Sequence, residues 1–404
     1  MVIPEILFLG IAGFFLGYLC ILSTLALFSR NREITRKDHQ RRFAVVIPAH
    51  NEELVIEKTL ESIRTADYPC DKFDIVVIAD NCTDQTAERA RKFGAVVYER
   101  FNQSQRGKGF ALRWCFDLLI LQSPGYDAFI AIDADTTVSR NFLLVMDDYL
   151  GRGSGVIQSS DMVSPNPGSW SSEVTRLGFT LYNLVRPLGR KVIHCPAGLR
   201  GNGMCFSTDV LRRVPWNTYS LNEDLEYGLI LLLNNIHVEF APEATVWASM
   251  PVQARNAESQ RARWEGGRYP IIRAYGLPLL GQAVKKFSFK YFDAFIDLIT
   301  PPFVNIFGVA VFLTLCNCVL LWNGVNFAGS YVIVSVIILF CGLLHVLLGL
   351  VAARADAGLY RAFLYLPRYV LWKFYLYAKL LKRGGNKEWV RTVRDEAVPH
   401  PGNK

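Results

Sequence analysis

The sequence lacks the patterns that fix a metal or a disulfide framework. It has nine cysteines but no C-x-x-C pair, and its six histidines show no ligand spacing. Four of the cysteines lie inside apolar runs, at Cys20, Cys316, Cys318 and Cys341. A zinc site and structural disulfides are therefore not expected, and reduced thiols fit a polar domain that faces the cytosol.

A nucleic-acid-binding pattern is also lacking, although the net charge is +8. A nucleic-acid reader would show Lys and Arg clustered with aromatic residues, or a known motif, and neither is present. The basic residues gather beside apolar segments instead, as expected for a chain that lies against an anionic lipid leaflet. We therefore expect a lipid bilayer, and no nucleic acid, among the partners.

The composition indicates two environments. Hydrophobic residues make up 51% of the chain and the mean hydropathy is +0.19, which is too apolar for an ordinary soluble protein. Charged residues make up 20%, which is too many for a protein that lies wholly in lipid. A soluble domain joined to membrane segments reconciles the two values.

Three apolar runs are long enough to cross a bilayer, at residues 3–28, 298–322 and 330–353. At about 1.5 Å per residue, each run can span a hydrocarbon core of about 30 Å. A cleaved signal peptide is the alternative for the first run. That run is too long, however, and it lacks a basic leading region and a small-residue cleavage pattern.

The charges that flank these runs predict the orientation. Only Glu5 is charged before the end of the first run, and the connector 323–329 carries no charge. Basic residues follow the first run at Arg30, Arg32, Arg36, Lys37, Arg41 and Arg42. Others follow the third run at Arg354, Arg361, Arg368, Lys373, Lys379, Lys382 and Arg383. The positive-inside rule therefore places the soluble domain and the tail in the cytoplasm.

The division of the chain follows from these patterns. We predict an N-terminal anchor (1–29), a soluble domain (40–267), interfacial amphipathic helices (268–297), two transmembrane helices (298–353), and an interfacial helix with a cytoplasmic tail (354–404). Residues 268–299 and 360–381 mix aromatic and basic side chains, which is typical of helices in the interface plane. A distorted span is the alternative for residues 360–381.

The soluble domain alternates strand and helix signals. Short apolar runs at 43–47, 75–79, 95–98 and 129–132 predict strands that are covered on both faces. Helical patterns lie between them at 53–66, 83–93 and 108–121. This order predicts an α/β fold with a doubly wound, mostly parallel sheet, whose ligands bind beyond the carboxyl ends of the strands.

Polar clusters occupy those strand ends, at residues 48–53, 80–84, 105–109 and 133–135. Asp133 and Asp135 supply hard oxygen ligands suited to Mg or Mn. Lys108, in a Gly-Lys-Gly context, either reaches a phosphate as a point charge or is a solvated loop lysine.

Two later motifs each allow two interpretations. In Asn222-Glu223-Asp224, either Asn222 caps a helix and the acids complement its dipole, or one acid is a general base. In Gln260–Trp264, positions i, i+3 and i+4 share one helix face. Arg263 and Trp264 there offer a phosphate fork and an apolar platform, or they anchor an interfacial helix.

Taken together, this ordered set resembles the family 2 processive-type glycosyltransferases of the GT-A fold, the group of the cellulose, chitin and hyaluronan synthases. Their pattern is a spaced D, D-x-D, E-D and Q-x-x-R-W. Here it reads Asp80, Asp133 with Asp135, Glu223-Asp224, and Gln260 to Trp264. The resemblance covers about residues 43–268, and flanking membrane segments are also usual for the group.

The resemblance implies roles for single residues. The implied donor-binding residues are Ala49, Asn51, Glu52, Asp80, Lys108, Asp133, Asp135 and Arg263. The implied acceptor or phosphate residues are Gln260, Arg263, Trp264, Gly201 and Asn202. Asp224, with Glu223 beside it, would be the base of an inverting transfer. Asp133 and Asp135 would hold the divalent cation, Mn or Mg.

The expected function is that of a metal-dependent, inverting hexosyltransferase, a multi-pass protein of the cell membrane. The resemblance implies a nucleotide-sugar donor, UDP rather than GDP, and a polysaccharide or oligosaccharide acceptor at the cytoplasmic face. Three spans are fewer than polymer-secreting members usually have, so a homo-oligomer or partner export proteins enter the expectation. Transfer of one sugar to a lipid, as in ceramide glucosyltransferases, is the alternative. A non-catalytic membrane scaffold is the alternative outside enzymes.

Overall fold

The computed structural model describes residues 2–34, 41–122, 125–165, 170–248, 254–325 and 328–370, and it gives only the backbone of residues 2–4 and 254–265. Along the chain, these ranges contain α-helices before, between and after the strands. They are α1 (Val2–Ala26), α2 (Ile56–Arg64), α3 (Thr86–Lys92), α4 (Lys108–Gln122), α5 (Phe142–Gly151), α6 (Trp170–Phe179), α7 (Arg186–Val192), α8 (Thr208–Arg213), α9 (Glu223–Leu233), α10 (Ala254–Lys285), α11 (Phe289–Ile299), α12 (Phe303–Trp322), α13 (Ala328–Ala352) and α14 (Ala357–Leu364). A π-helical turn, Thr180–Val185, joins α6 to α7.

Eight strands form one mixed sheet. They are β1 (Phe43–Ala49), β2 (Phe73–Asp80), β3 (Val96–Arg100), β4 (Ala128–Ala131), β5 (Thr136–Val138), β6 (Val156–Val163), β7 (Met204–Ser207) and β8 (Val238–Ala248). Their order across the sheet is β3-β2-β1-β4-β7-β6-β8-β5. The first four in this order are parallel, and β6 pairs parallel with β8. The remaining pairs, β4–β7, β6–β7 and β5–β8, are antiparallel.

The parallel half agrees with the doubly wound fold predicted from the sequence. β1 and β2 are buried along nearly their whole length, as expected for strands covered on both faces. On one face, Ile56, Leu60 and Ile63 of α2 join the core built on the odd positions of β1. The spacing of these three residues makes one apolar stripe on a helix whose other face is solvated.

The chain forms two compact units. One contains the described residues of Arg30–Ser164, Pro196–Ala294 and the sheet. The other contains those of Met1–Ser29, Pro165–Cys195 and Phe295–Glu388, and therefore α1, α12 and α13. The segment from α6 to α7, which connects β6 to β7 along the chain, belongs to this second unit.

Three helices are long and apolar enough to cross a membrane, at Glu5–Ala26, Phe303–Trp322 and Ala328–Ala352. They coincide with the apolar runs of the sequence to within a few residues. α1, α12 and α13 share an apolar cluster that includes Leu16, Ile306 and Ile338. Close approach is possible because Gly342 has no side chain: a Cβ there would lie 2.7 Å from the Phe307 ring.

The two segments predicted to be amphipathic are helical where the structure describes them. Residues 268–299 form the second half of α10 and all of α11, separated by a short break around Phe287. The segment 360–381 begins in α14, and its residues from 371 onward lie outside the described ranges. The tail residues Trp389–Thr392 lie outside them as well.

Candidate active site

The candidate site lies at the carboxyl edge of the parallel strands. Since β1, β2 and β4 run in the same direction side by side, the residues that follow them meet at one edge. Ala49 is the last residue of β1 and is buried, and Asp80 is the last residue of β2. Asp133 follows the end of β4 by two residues. Three of the predicted strand-end clusters are therefore neighbours.

The loop after β1 is tied to the loop after β2. Asn51 adopts a φ of 56°, a left-handed conformation that asparagine tolerates better than most residues. Its side-chain oxygen accepts a hydrogen bond from the Thr83 backbone at 2.7 Å. The Glu52 backbone N–H donates to the Thr86 hydroxyl at 2.8 Å. These bonds hold the predicted donor-binding backbone of residues 49–52 in place, since Thr86 begins α3.

Asp80 is paired with an arginine that the sequence analysis did not single out. The Arg100 guanidinium donates to Asp80 Oδ1 at 2.5 Å, and both side chains are more than 90% buried. Asn81 Nδ2 donates to the same oxygen at 3.1 Å. Arg100 ends β3 opposite Asp80 in the parallel register. Only that register brings the two together, so no local pattern around Arg100 signals it.

The chain leaves the strand at the Asp133–Asp135 segment. β4 ends at Ala131, and Ala134 and Asp135 form a turn before β5 begins at Thr136. Ala134 is buried, whereas Asp133 and Asp135 are half-exposed. The Thr59 hydroxyl donates to the Ala134 carbonyl at 2.7 Å, which fixes the turn against α2. Both carboxylates therefore leave the pleat and reach the sheet edge.

Lys108 contacts one carboxylate of this segment, that of Asp133. As the first residue of α4 it donates from Nζ to Asp133 Oδ1 and to the Gly201 carbonyl. The interpretation of Lys108 as a solvated loop lysine is therefore wrong. Burial acts to lower the pKa of Lys108, but Asp133, Glu223 and Asp224 outweigh it and raise the pKa above its usual value.

The loop that precedes β7 connects the two acidic motifs. Asn202 Oδ1 accepts from the Asp133 backbone N–H at 3.1 Å, and its Nδ2 donates to the Thr136 hydroxyl at 2.9 Å. Asn202 is 3% exposed, so its side chain orients the Asp133 turn from within the protein. On its other side, a Cβ on Gly201 would lie 3.2 Å from Asp224 Oδ2. A glycine with a φ of 86° is needed there.

A buried acid beneath the site also escaped the sequence analysis. Asp161, on β6, accepts from Asn202 Nδ2 at 3.4 Å and is 6% exposed. Burial, and then repulsion from Asp133, raise the pKa of Asp161 well above its usual value. The polar run at residues 158–161 hides this strand in the sequence, and β6 was not among the predicted strands.

Glu223 and Asp224 are the first two residues of α9, and both interact electrostatically with Lys108. Burial and the neighbouring Asp224 raise the pKa of Glu223 to about 7, and burial likewise raises the pKa of Asp224. Asn222 occupies the N-cap position but makes no side-chain cap hydrogen bond. Asn222 is therefore the N-cap residue by position, and Glu223 and Asp224 lie in the first turn, where acids complement the helix dipole, as the first of the two interpretations expects. The first turn of α9 brings two carboxylates to the site.

The Q-x-x-R-W motif lies on α10, whose next turn contacts the start of α9. A Cβ on Gly267 would lie 3.0 Å from Leu221 Cβ and 3.2 Å from Asn222 Cγ. The backbone of Gln260, Arg263 and Trp264 is helical, one to two turns before this contact. Their side chains lie outside the described part of the structure. The motif is therefore held near α9 by a glycine contact.

The residues present fit a divalent cation of the Mg or Mn type. In the described ranges, no group of three or more His, Cys, Asp or Glu side chains could hold a metal by itself. Asp133 and Asp135 nevertheless offer two carboxylates at the sheet edge, and the half-buried Lys108 lies beside Asp133. One or two carboxylates completed by substrate phosphate oxygens are the usual ligand set of Mg in phosphate chemistry.

Comparison with known proteins identifies relatives of the sheet-containing part. The family described as "Glycosyltransferase like family 2" matches residues 39–267. The probable glycosyltransferase YdaM of Bacillus subtilis is 24% identical over 66% of this chain and 63% of its own length. The beta-monoglucosyldiacylglycerol synthase of Nostoc is 25% identical over 56% of this chain and 48% of its own. The chain thus spans about half to two thirds of these relatives.

Among solved structures, a mannosyltransferase of Pyrobaculum calidifontis in complex with GDP-Man and Mn²⁺ is similar at 16% identity. The match covers 82% of this chain and 99% of that one, with a TM-score of 0.46.

Proposed function

The chain belongs to the glycosyltransferase-like family 2, and from this premise we propose that it is a membrane-bound, inverting hexosyltransferase. It moves a sugar from a nucleotide-diphosphate donor to a glycan acceptor at the cytoplasmic membrane face. The observation that carries the proposal is the meeting of Asp133, Lys108, Gly201 and Asp224 at one sheet edge. A cation site, a phosphate-binding charge and a base are the parts that such a transfer needs.

The donor is proposed to bind across the ends of β1, β2 and β4. Ala49, Asn51, Glu52 and Asp80 would hold the nucleobase and ribose, supported by the bonds that fix residues 49–52. We propose UDP as the nucleotide on the family resemblance alone. Asp133 and Asp135 would hold a divalent cation, which supplies charge neutralisation to the departing diphosphate.

Asp224 is proposed to act as the general base. It would accept the proton of the acceptor hydroxyl while that oxygen attacks the anomeric carbon, and the nucleoside diphosphate would leave from the opposite face. This displacement inverts the anomeric configuration. A Cβ on Gly201 would lie 3.2 Å from Asp224 Oδ2, so the glycine leaves this carboxylate oxygen uncovered on that side, which supports the assignment. Gln260, Arg263 and Trp264 would hold the diphosphate and the acceptor end.

The membrane arrangement is proposed to be multi-pass, with the sheet-containing unit in the cytoplasm. Three helices of sufficient length and the basic residues that flank them support this orientation. The uncharged connector 323–329 would then lie on the opposite side. Asn323→Cys should react with an impermeant maleimide applied from outside, against a background variant in which the native cysteines are replaced. Protection from outside and labelling only after permeabilisation would reject the orientation.

A lipid acceptor is the second candidate. It is favoured by the similarity to the Nostoc beta-monoglucosyldiacylglycerol synthase, whose name gives monoglucosyldiacylglycerol as its product. Product length separates the two candidates. The purified protein in nanodiscs would be given a radiolabelled donor with either an oligosaccharide primer or diacylglycerol. A ladder on the primer supports the glycan acceptor, and one added sugar on the lipid supports the second candidate. No product from any UDP- or GDP-sugar with Mn or Mg would reject both.

A further inference from the structure

The ammonium group of Lys108 interacts with several carboxylates in the candidate site. Lys108 Nζ donates to Asp133 Oδ1 and to the Gly201 carbonyl, and the lysine side chain is only 23% exposed. Asp133 is itself 38% exposed, so its carboxylate is reachable from outside while one of its oxygens faces the lysine. Lys108 is the first residue of α4, so its flexible side chain extends from a helical backbone.

The surrounding acids come from two other elements. Asp161 is on β6, and Glu223 and Asp224 begin α9. The charge of Lys108 lowers the pKa of all three, against the effect of burial, which raises it. Lys108 is therefore the shared counter-charge of a site that is otherwise rich in carboxylates.

Asp133 is also one of the two carboxylates suited to a divalent cation. A carboxylate oxygen that accepts from an ammonium group cannot take a divalent cation at bonding distance without bringing two positive charges together. We propose that Lys108 and the divalent cation compete for the Asp133 carboxylate. When the cation binds Asp133, the ammonium group loses this partner and becomes available to a diphosphate. The inference rests on the proposed function, since that function supplies the diphosphate.

The proposed competition can be tested by measuring cation binding alone, without sugar transfer. Binding of Mn²⁺ to the purified full-length protein, without donor, would be followed by the loss of the free-ion EPR signal. Lys108→Met should bind Mn²⁺ more tightly than the wild type, by roughly fivefold or more, the usual lower range of coupling between two sites. Unchanged or weaker binding by Lys108→Met would overturn the proposal.

The matched control removes the same charge nearby. Arg106 lies two residues before Lys108, on an exposed position where it bonds Gln103. Arg106→Met should leave the Mn²⁺ affinity within about twofold, because a solvated charge is screened. An equal gain in both variants would mean a general charge effect and would also reject direct competition.

A second measurement uses the wild-type chain, so that it does not depend on the folding of a variant. Limited acetylation followed by mass spectrometry reports the reactivity of each lysine. Mn²⁺ should increase the acetylation rate of Lys108 and leave that of Lys92, an exposed residue paired with Glu88, unchanged. A Lys108 rate that is unchanged or lowered by Mn²⁺ contradicts the proposal. Failure here with sugar transfer intact rejects only this inference, whereas absent transfer with competing Mn²⁺ rejects only the proposed function.

Discussion

Asp80 and Arg100 form a buried ion pair at the carboxyl edge of the parallel strands, where the donor is proposed to bind. Both side chains are more than 90% removed from solvent, so each charge depends on the other. Breaking such a pair is far more costly than breaking an exposed one, because an uncompensated charge stays buried. The pair therefore stabilises the loop after β2 and sets the position of the Asp80 carboxylate.

Arg100→Ala should destabilise the protein by about 3–5 kcal/mol and weaken donor binding. Thermal unfolding in detergent and titration with UDP-sugar would measure the two effects. The control is Arg91→Ala, whose pair with Glu99 is exposed and should contribute no more than about 1 kcal/mol. Equal losses in the two variants would contradict the assignment of a buried structural pair.

The Glu223–Asp224 pair predicts a pH dependence at the acceptor side. Because the pKa of Glu223 is raised to about 7, a proton remains on the pair below that pH and is lost above it. A base must be ionised to accept the acceptor proton, so kcat/KM should fall as the pH drops below about 7. In Glu223→Gln the titrating carboxyl group whose pKa is about 7 is gone, and the acidic limb should move down by roughly one pH unit. A flat profile between pH 6 and 8, or an unmoved limb, would contradict this account.

At the scale of elements, the first half of the sheet and the three apolar helices could be predicted from the sequence. Their signals are continuous apolar runs, and the observed bounds differ from the predicted ones by a few residues. The placement of β7 between β4 and β6 could not be predicted, because strand order depends on contacts far apart in sequence. The same holds for Arg100 and Asp161, which join the site only through strand pairing.

Substitutions of two adjacent glycines, Gly266 and Gly267, test the contact between α10 and the start of α9. Gly267→Ala would press on Leu221 and Asn222, and should move the α9 carboxylates by a few tenths of an ångström. A displacement of that size should lower kcat by roughly three- to tenfold. Gly266→Ala meets nothing within 4 Å and should stay within twofold of the wild type. Equal rates for the two variants would mean that the contact does not position the site.

At the scale of the whole molecule, the chain combines a family 2 transferase fold with three helices able to cross a membrane. The order of the motifs along the chain, from Asp80 through Asp133 and Glu223-Asp224 to Gln260–Trp264, indicates family 2, and the family match over residues 39–267 confirms it. The acceptor could not be predicted in the same way. Its contacts are proposed to involve Gln260 and Trp264, whose surroundings depend on tertiary packing rather than on spacing.

The most direct test of the account compares donor binding with turnover in Asp224→Asn. The purified protein would be incubated with each UDP- and GDP-sugar and Mn²⁺, and nucleotide release would be measured beside donor affinity. The wild type should release nucleotide from one donor, and this release should depend on the metal. Asp224→Asn should release nucleotide at least a hundredfold more slowly, with its donor affinity nearly unchanged. Release by Asp224→Asn at the wild-type rate would contradict the role of Asp224 as the base.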